Sequence, residues 1–124
     1  MNSAPAAVPS MLETPVTVEA VTVEEYIASY FPEEPIMQKV AFCESRFRQF
    51  GESGTPLRGI VNSSDVGLFQ INEYYHGETA EKLGIDLHSL QGNLEYARYL
   101  YDREGTQPWS ASKPCWSSEH VAVK

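Results

Sequence analysis

Ile36-Met37-Gln38-Lys39-Val40-Ala41-Phe42-Cys43-Glu44-Ser45-Arg46-Phe47 is the stretch on which the reading of this chain turns. Ile36, Val40, Cys43 and Phe47 recur at i, i+4, i+7 and i+11, which predicts one buried stripe on a helix from about Pro35 to Phe47. Glu44 falls on that apolar face, four residues after Val40, seven after Met37 and three before Phe47. A carboxylate there is desolvated unless it is paired or protonated. Apolar surroundings raise a carboxyl pKa, and a general acid working near neutral pH needs that. The alternative is a half-exposed Glu44 paired with Arg48 at i+4.

Upstream, Pro32-Glu33-Glu34-Pro35 closes an earlier helix, Thr22–Phe31, and opens this one with two acids favourably placed at its start. Thr22 and Glu25 have the spacing of a capping box. Residues 1–21 carry Pro5, Pro9 and Pro15 among small residues, without periodicity or aromatics, and read as a flexible tether. They lack the basic start and apolar stretch of an intact signal peptide, and are expected to be the spacer behind a trimmed leader or membrane anchor. Downstream, Gly51, Ser53, Gly54, Pro56, Gly59 and Asn62 form turns. Leu57–Val61 and Val66–Ile71 are expected to pair as a small β-hairpin. A short helix from about Glu78 stops at Gly84. Asp86 is expected to cap a further helix bearing Leu90, Leu94, Ala97 and Tyr101, which ends at Gly105. This predicts an α+β domain, mainly α, over residues 22–116, with a tail at 117–124.

The length, 124 residues, suits one domain. No apolar run approaches the roughly 20 residues that span a bilayer. Seventeen acidic and nine basic side chains give −8, which argues against a nucleic-acid partner, since phosphate needs a basic face. Residues 1–38 hold six of the acids and no Lys or Arg, so the later part is nearly neutral. Cys43 and Cys115 form no CxxC, which speaks against a zinc or thioredoxin-type site. Their number and separation leave a disulfide and two buried thiols equally open. His76, His88 and His120 are too scattered to suggest a metal site, and His76 is assigned no role. Arg98 and Asp102 read as a solvated i, i+4 pair of little weight.

Asp65 is the second candidate acid. It stands in Asn62-Ser63-Ser64-Asp65-Val66-Gly67, a polar turn leading into an apolar strand, where it would be hydrogen-bonded and ionised. Its bland reading is a turn-forming Asp. Paired with Glu44, it gives one acid in an apolar setting and one in a polar setting, the division of labour used in glycoside hydrolysis.

Cys43-Glu44-Ser45-Arg46-Phe47, then Ser64-Asp65-Val66-Gly67-Leu68-Phe69-Gln70-Ile71-Asn72, then Asn93-Leu94-Glu95-Tyr96-Ala97-Arg98-Tyr99-Leu100-Tyr101, resemble in order the motifs of the lysozyme-like superfamily. This superfamily takes in animal-type lysozymes, lytic transglycosylases and resuscitation-promoting factors. The resemblance covers about residues 22–116. It implies a lysozyme-like fold in which a small β-hairpin flanks the catalytic helix. It implies a muramidase that cuts the β-1,4 bond between N-acetylmuramic acid and N-acetylglucosamine in peptidoglycan, with Glu44 as general acid and Asp65 as stabiliser or nucleophile. Asn72, Tyr74 and Tyr75 match sugar-binding positions, although tryptophan is commoner at the tyrosine pair. Gln70 is a further substrate-binding candidate, with a hydrogen bond to its own backbone as the alternative. Tyr101 and Trp109 are further flat groups suited to walling a cleft, with core packing as the alternative, above all for Tyr101.

The late Trp109 and Cys115 resemble resuscitation-promoting factors, whose two cysteines pair. That implies a Cys43–Cys115 disulfide and an extracytoplasmic, secreted or wall-associated protein. The expected partner is the peptidoglycan glycan strand, met by a monomer without cofactor or metal. Two further readings stay in view. One is a lytic transglycosylase in which Glu44 works alone and leaves 1,6-anhydromuramic ends. The other is a wall-binding module without turnover.

Overall fold

Helix α1 (Val23–Tyr30) begins where the sequence places it. In the computed structural model, which describes residues 20–117, the Thr22 hydroxyl accepts the Glu25 N–H and the Glu25 carboxylate accepts the Thr22 N–H, each at 3.0 Å. The expected tether up to residue 19 and the tail from residue 118 lie outside the described residues, as does His120. The other elements are α2 (Ile36–Ser45), β1 (Asp65–Val66), β2 (Ile71–Asn72), α3 (Glu73–Lys82), α4 (Leu90–Glu104), a 3-10 helix (Gln107–Ser112) and α5 (Lys113–Trp116). The architecture is α+β and mainly α, with one two-stranded antiparallel sheet. Among the described residues no helix is long and apolar enough to cross a membrane.

Helix α2 stops two residues before the predicted end. Arg46 and Phe47 both adopt left-handed backbone, at φ 56° and 66°, and the Arg46 N–H closes the helix on the Phe42 carbonyl. The Ser45 hydroxyl donates to the Ala41 carbonyl and accepts the Arg48 N–H, so the chain turns sharply there. The fully buried face is therefore Met37, Val40, Ala41 and Ser45, with Ile36 and Cys43 only partly buried beside it. Phe47 has left the helix and packs on Phe42, ring centroids 5.4 Å apart.

Other boundaries differ for identifiable reasons. Helix α3 starts at Glu73 rather than Glu78, because the Asn72 side chain caps it by accepting the Tyr75 N–H at 3.0 Å. Ser89, not Asp86, caps α4 through the Gly92 N–H, while Asp86 accepts the His88 N–H in the preceding turn. Gly105 ends α4 as expected. The strands pair Asp65 with Asn72 and Val66 with Ile71, so residues 67–70 are the hairpin turn and the Val66–Ile71 run is not one strand. Leu57–Val61 contributes a single bridge, Arg58 to Val66, and leaves Ile60 and Val61 exposed.

The core lies between α1, α2, α4 and the 3-10 helix. Phe69, from the hairpin turn, sits 5.9 Å from Phe31 and 5.8 Å from Trp109 between ring centroids. Arg98 does more than pair with Asp102. It also donates to both Glu34 carboxylate oxygens, at 3.0 and 3.3 Å, and to the Tyr30 carbonyl, and it stacks over Phe31. This correction follows from the α1–α2 corner, which brings Glu34 beside α4.

Cys43 and Cys115 are bonded, with Cα atoms 6.0 Å apart, joining α2 to α5. Replacing both with Ser is expected to lower unfolding stability by about 2–4 kcal/mol, since the bond closes a long loop. Chemical denaturation checks this, and intact mass before and after reduction with alkylation checks the bond.

Candidate active site

The hairpin turn forms one wall of the site. Its apolar residues are buried, so its peptide groups cannot be left to water. Two neutral amides serve them. The Gln49 carbonyl oxygen accepts the Leu68 N–H at 2.8 Å, and the Gln49 amide donates to the carbonyls of Leu87 and His88. The Asn93 carbonyl oxygen accepts the Phe69 N–H at 2.8 Å, and the Asn93 amide donates to the carbonyls of Val66 and Leu87. Gly67 has φ 79°, and a Cβ there would meet the Asn93 amide at 2.5 Å and the Gln49 amide at 2.6 Å, so glycine alone fits.

Helix α2 and the 3-10 helix form the other wall. Glu44 reaches the cleft from the last turn of α2 and is partly buried. Burial raises its pKa. The Ser112 hydroxyl, donating to Glu44 Oε2 at 2.6 Å, works against that rise, and the nearby Asp65 charge adds to it. Arg48 is not its partner, since the Arg48 Nε donates to the Ser45 carbonyl instead. Glu44 therefore carries its proton to higher pH than an ordinary glutamate, in a position open to the cleft.

Asp65 lines the same pocket, of about 140 Å³, together with Gln70, Asn72, His76 and Trp109. Asn72 donates to Asp65 Oδ1 at 3.0 Å while its own carbonyl oxygen caps α3, so one side chain fixes both the acid and the helix. Gln70, with φ 49°, turns its amide back onto the Gly67 carbonyl at 3.0 Å. Trp109 is buried, donates to the Phe69 carbonyl at 2.9 Å and lines the pocket. A second groove of about 340 Å³ shares Glu44, Asp65 and Gln70 with this pocket. The three residues thus stand where the two spaces meet.

The remaining candidates are placed differently. Tyr74 and Tyr75 stand exposed on the first turn of α3 as an edge-to-face pair, 5.3 Å between centroids. Tyr101 packs edge-on against Phe31 beneath Arg98, and is not one of the pocket residues. Sequence reasoning missed Ser112 and Gln49, and assigned no role to His76, which lines the pocket. His76 bonds through Nδ1 to the Tyr96 hydroxyl at 3.0 Å, and burial lowers its pKa, which favours the neutral ring. Ser112 had no signal, because Gln107–Ser112 carries no periodic apolar pattern. His76 had one: it follows the tyrosine pair directly. Among the described residues no group of three or more His, Cys, Asp or Glu is placed to hold a metal ion.

Ser112→Ala gives a test of this electrostatic balance. Losing the hydroxyl removes a bond that favours the charged carboxylate, so the Glu44 pKa is expected to rise further. Any activity that needs protonated Glu44 then survives to higher pH, and the alkaline limb of its pH profile moves up. An unmoved limb would detach Ser112 from Glu44.

No family model, no curated protein and no solved structure matches the chain.

Proposed function

We propose that this protein cleaves the β-1,4 bond between N-acetylmuramic acid and N-acetylglucosamine in peptidoglycan, as a lysozyme-like muramidase. The observation that carries this reading is Glu44, a partly buried carboxyl with a raised pKa that lines an open cleft, with a second carboxylate, Asp65, lining the same pocket. The glycan strand lies across Glu44, Asp65 and Gln70. The Glu44 carboxyl donates its proton to the glycosidic oxygen as the C1–O bond breaks. Asp65 stabilises the positive charge that develops at C1, or attacks it. Glu44, now ionised, takes a proton from the incoming water and returns to its starting state. Trp109 walls the pocket, and the exposed Tyr74 and Tyr75 offer flat faces to sugar rings. Such an enzyme works outside the cytoplasm, where the Cys43–Cys115 bond persists.

One observation favours a second reading. The Asp65 carboxylate already has a structural partner in Asn72, so its place near Glu44 is also explained as hairpin closure. In a lytic transglycosylase Glu44 alone performs both proton transfers, and the muramic 6-hydroxyl takes the place of water. Product mass separates the two, because anhydro ends are one water lighter than reducing ends. The hydrolytic reading expects reducing ends and a drop of about 10²-fold or more in Asp65→Asn. Anhydro ends with Asp65→Asn near full activity would assign the chemistry to Glu44 alone. Dye release from purified peptidoglycan tests the activity itself, and its absence would leave a wall-binding module.

A further inference from the structure

The second groove differs in charge from the pocket with which it shares Glu44. It is lined by Arg46, Arg48 and Arg58, three of the nine basic side chains of a chain whose net charge is −8. Arg58 is committed: it pairs with Glu73 and donates to the Ser63 carbonyl. Arg46 and Arg48 are not. Among the described residues neither forms an ion pair with a carboxylate. The Arg48 Nε donates to the Ser45 carbonyl at 3.1 Å, and its terminal nitrogens have no hydrogen-bond partner among the described residues. The Arg46 guanidinium lies 4.8 Å from the Phe42 ring centre, held in place with its donors unused. Ile60 and Val61 line the same groove, fully exposed on a loop that Gly59 pins against Asp65 through its N–H. Two guanidinium groups without carboxylate partners, lining one groove with an apolar pair, suit a ligand with a carboxylate and short aliphatic side chains.

We propose that this arm of the cleft binds the peptide stem of the substrate, its carboxylates on Arg46 and Arg48 and its aliphatic side chains against Ile60 and Val61. The inference rests on the peptidoglycan reading. Muramic residues alternate along the strand, so a strand that crosses Glu44 brings a peptide-bearing sugar within two residues of the cut on this side. The stem is covalently part of that strand, and a separate anionic polymer is not, so the carboxylates of the stem are the anion in question.

The test uses the Glu44→Gln protein and two soluble probes, a disaccharide carrying its peptide stem and the same disaccharide stripped of it. The peptide-bearing probe is expected to bind about tenfold more tightly, with the margin shrinking as salt rises. In Glu44→Gln/Arg46→Gln/Arg48→Gln the ratio is expected to fall to near one, and Arg48→Lys is expected to restore part of it. Equal affinity of the starting protein for both probes would overturn the peptide-binding arm while leaving glycan cleavage standing. A ratio unchanged by the arginine substitutions would overturn it too. Binding of neither probe, together with no dye release by the wild-type protein, would remove the peptidoglycan reading and this inference with it.

Discussion

Glu44→Gln is expected to lower peptidoglycan cleavage by about 10²–10⁴-fold, the usual loss when a positioned general acid is removed. The change keeps the shape of the side chain, and the Ser112 hydroxyl can still donate to the amide oxygen, as it does to Glu44 Oε2. Only the transferable proton is gone. The same substitution should have the opposite effect on stability. Folding raises the Glu44 pKa, so the folded state favours the protonated carboxyl. That favourable contribution is complete below the pKa of an unfolded glutamate and is lost as pH rises through the higher folded value. The amide does not titrate. Glu44→Gln should therefore unfold at a higher temperature than wild type at pH 7, with the difference shrinking toward pH 4. An inactive variant with this pH-dependent gain would mark Glu44 as a strained functional group. Near wild-type turnover would remove it from the mechanism.

Asn93→Ala is expected to be the most damaging substitution outside the cleft. Asn93 is fully buried and makes three hydrogen bonds, to Phe69 N–H and to the carbonyls of Val66 and Leu87. Truncation leaves these groups without that partner, away from water. At about 1–3 kcal/mol for a buried polar group left unsatisfied, the loss should reach about 3 kcal/mol or more. Denaturant unfolding measures it. Activity should fall further than the folded fraction accounts for, because the same bonds hold the turn that carries Gln70 and flanks Asp65. A loss below about 1 kcal/mol would mean that water or a rearranged Gln49 replaces the amide.

The helices were legible because their signals are local. The Thr22–Glu25 box, the Glu44-bearing face and the Gly105 stop each lie within a few residues, where backbone geometry alone relates them. The end of α2 was missed because Phe47 kept the apolar spacing, and spacing does not register the left-handed backbone at Arg46 and Phe47. The hairpin was misdrawn for a related reason. Val66–Ile71 reads as a strand by its apolar content, yet its middle is a buried turn, possible only because Gln49 and Asn93 arrive from elsewhere in the chain. Ser112 likewise meets Glu44 across 68 positions. Candidate acids can thus be read one at a time from sequence, whereas the groups that tune and hold them come together only on folding.

The Gln49–Asn93 clamp also bears on how such a cleft can change over time. Residues 66–71 are met group by group by fixed amides and by a glycine without room for a Cβ, so inserting or deleting one residue would put every bond out of register. The 51–63 loop has the opposite character. Its tip, Ile60 and Val61, touches nothing buried, and its length is tied down mainly at Leu57, Gly59 and Arg58. Variation in length and side chain is free to accumulate there, on the rim of the groove, while the wall beneath stays constant. Such changes would reshape the rim of that groove without disturbing the placement of Glu44 and Asp65.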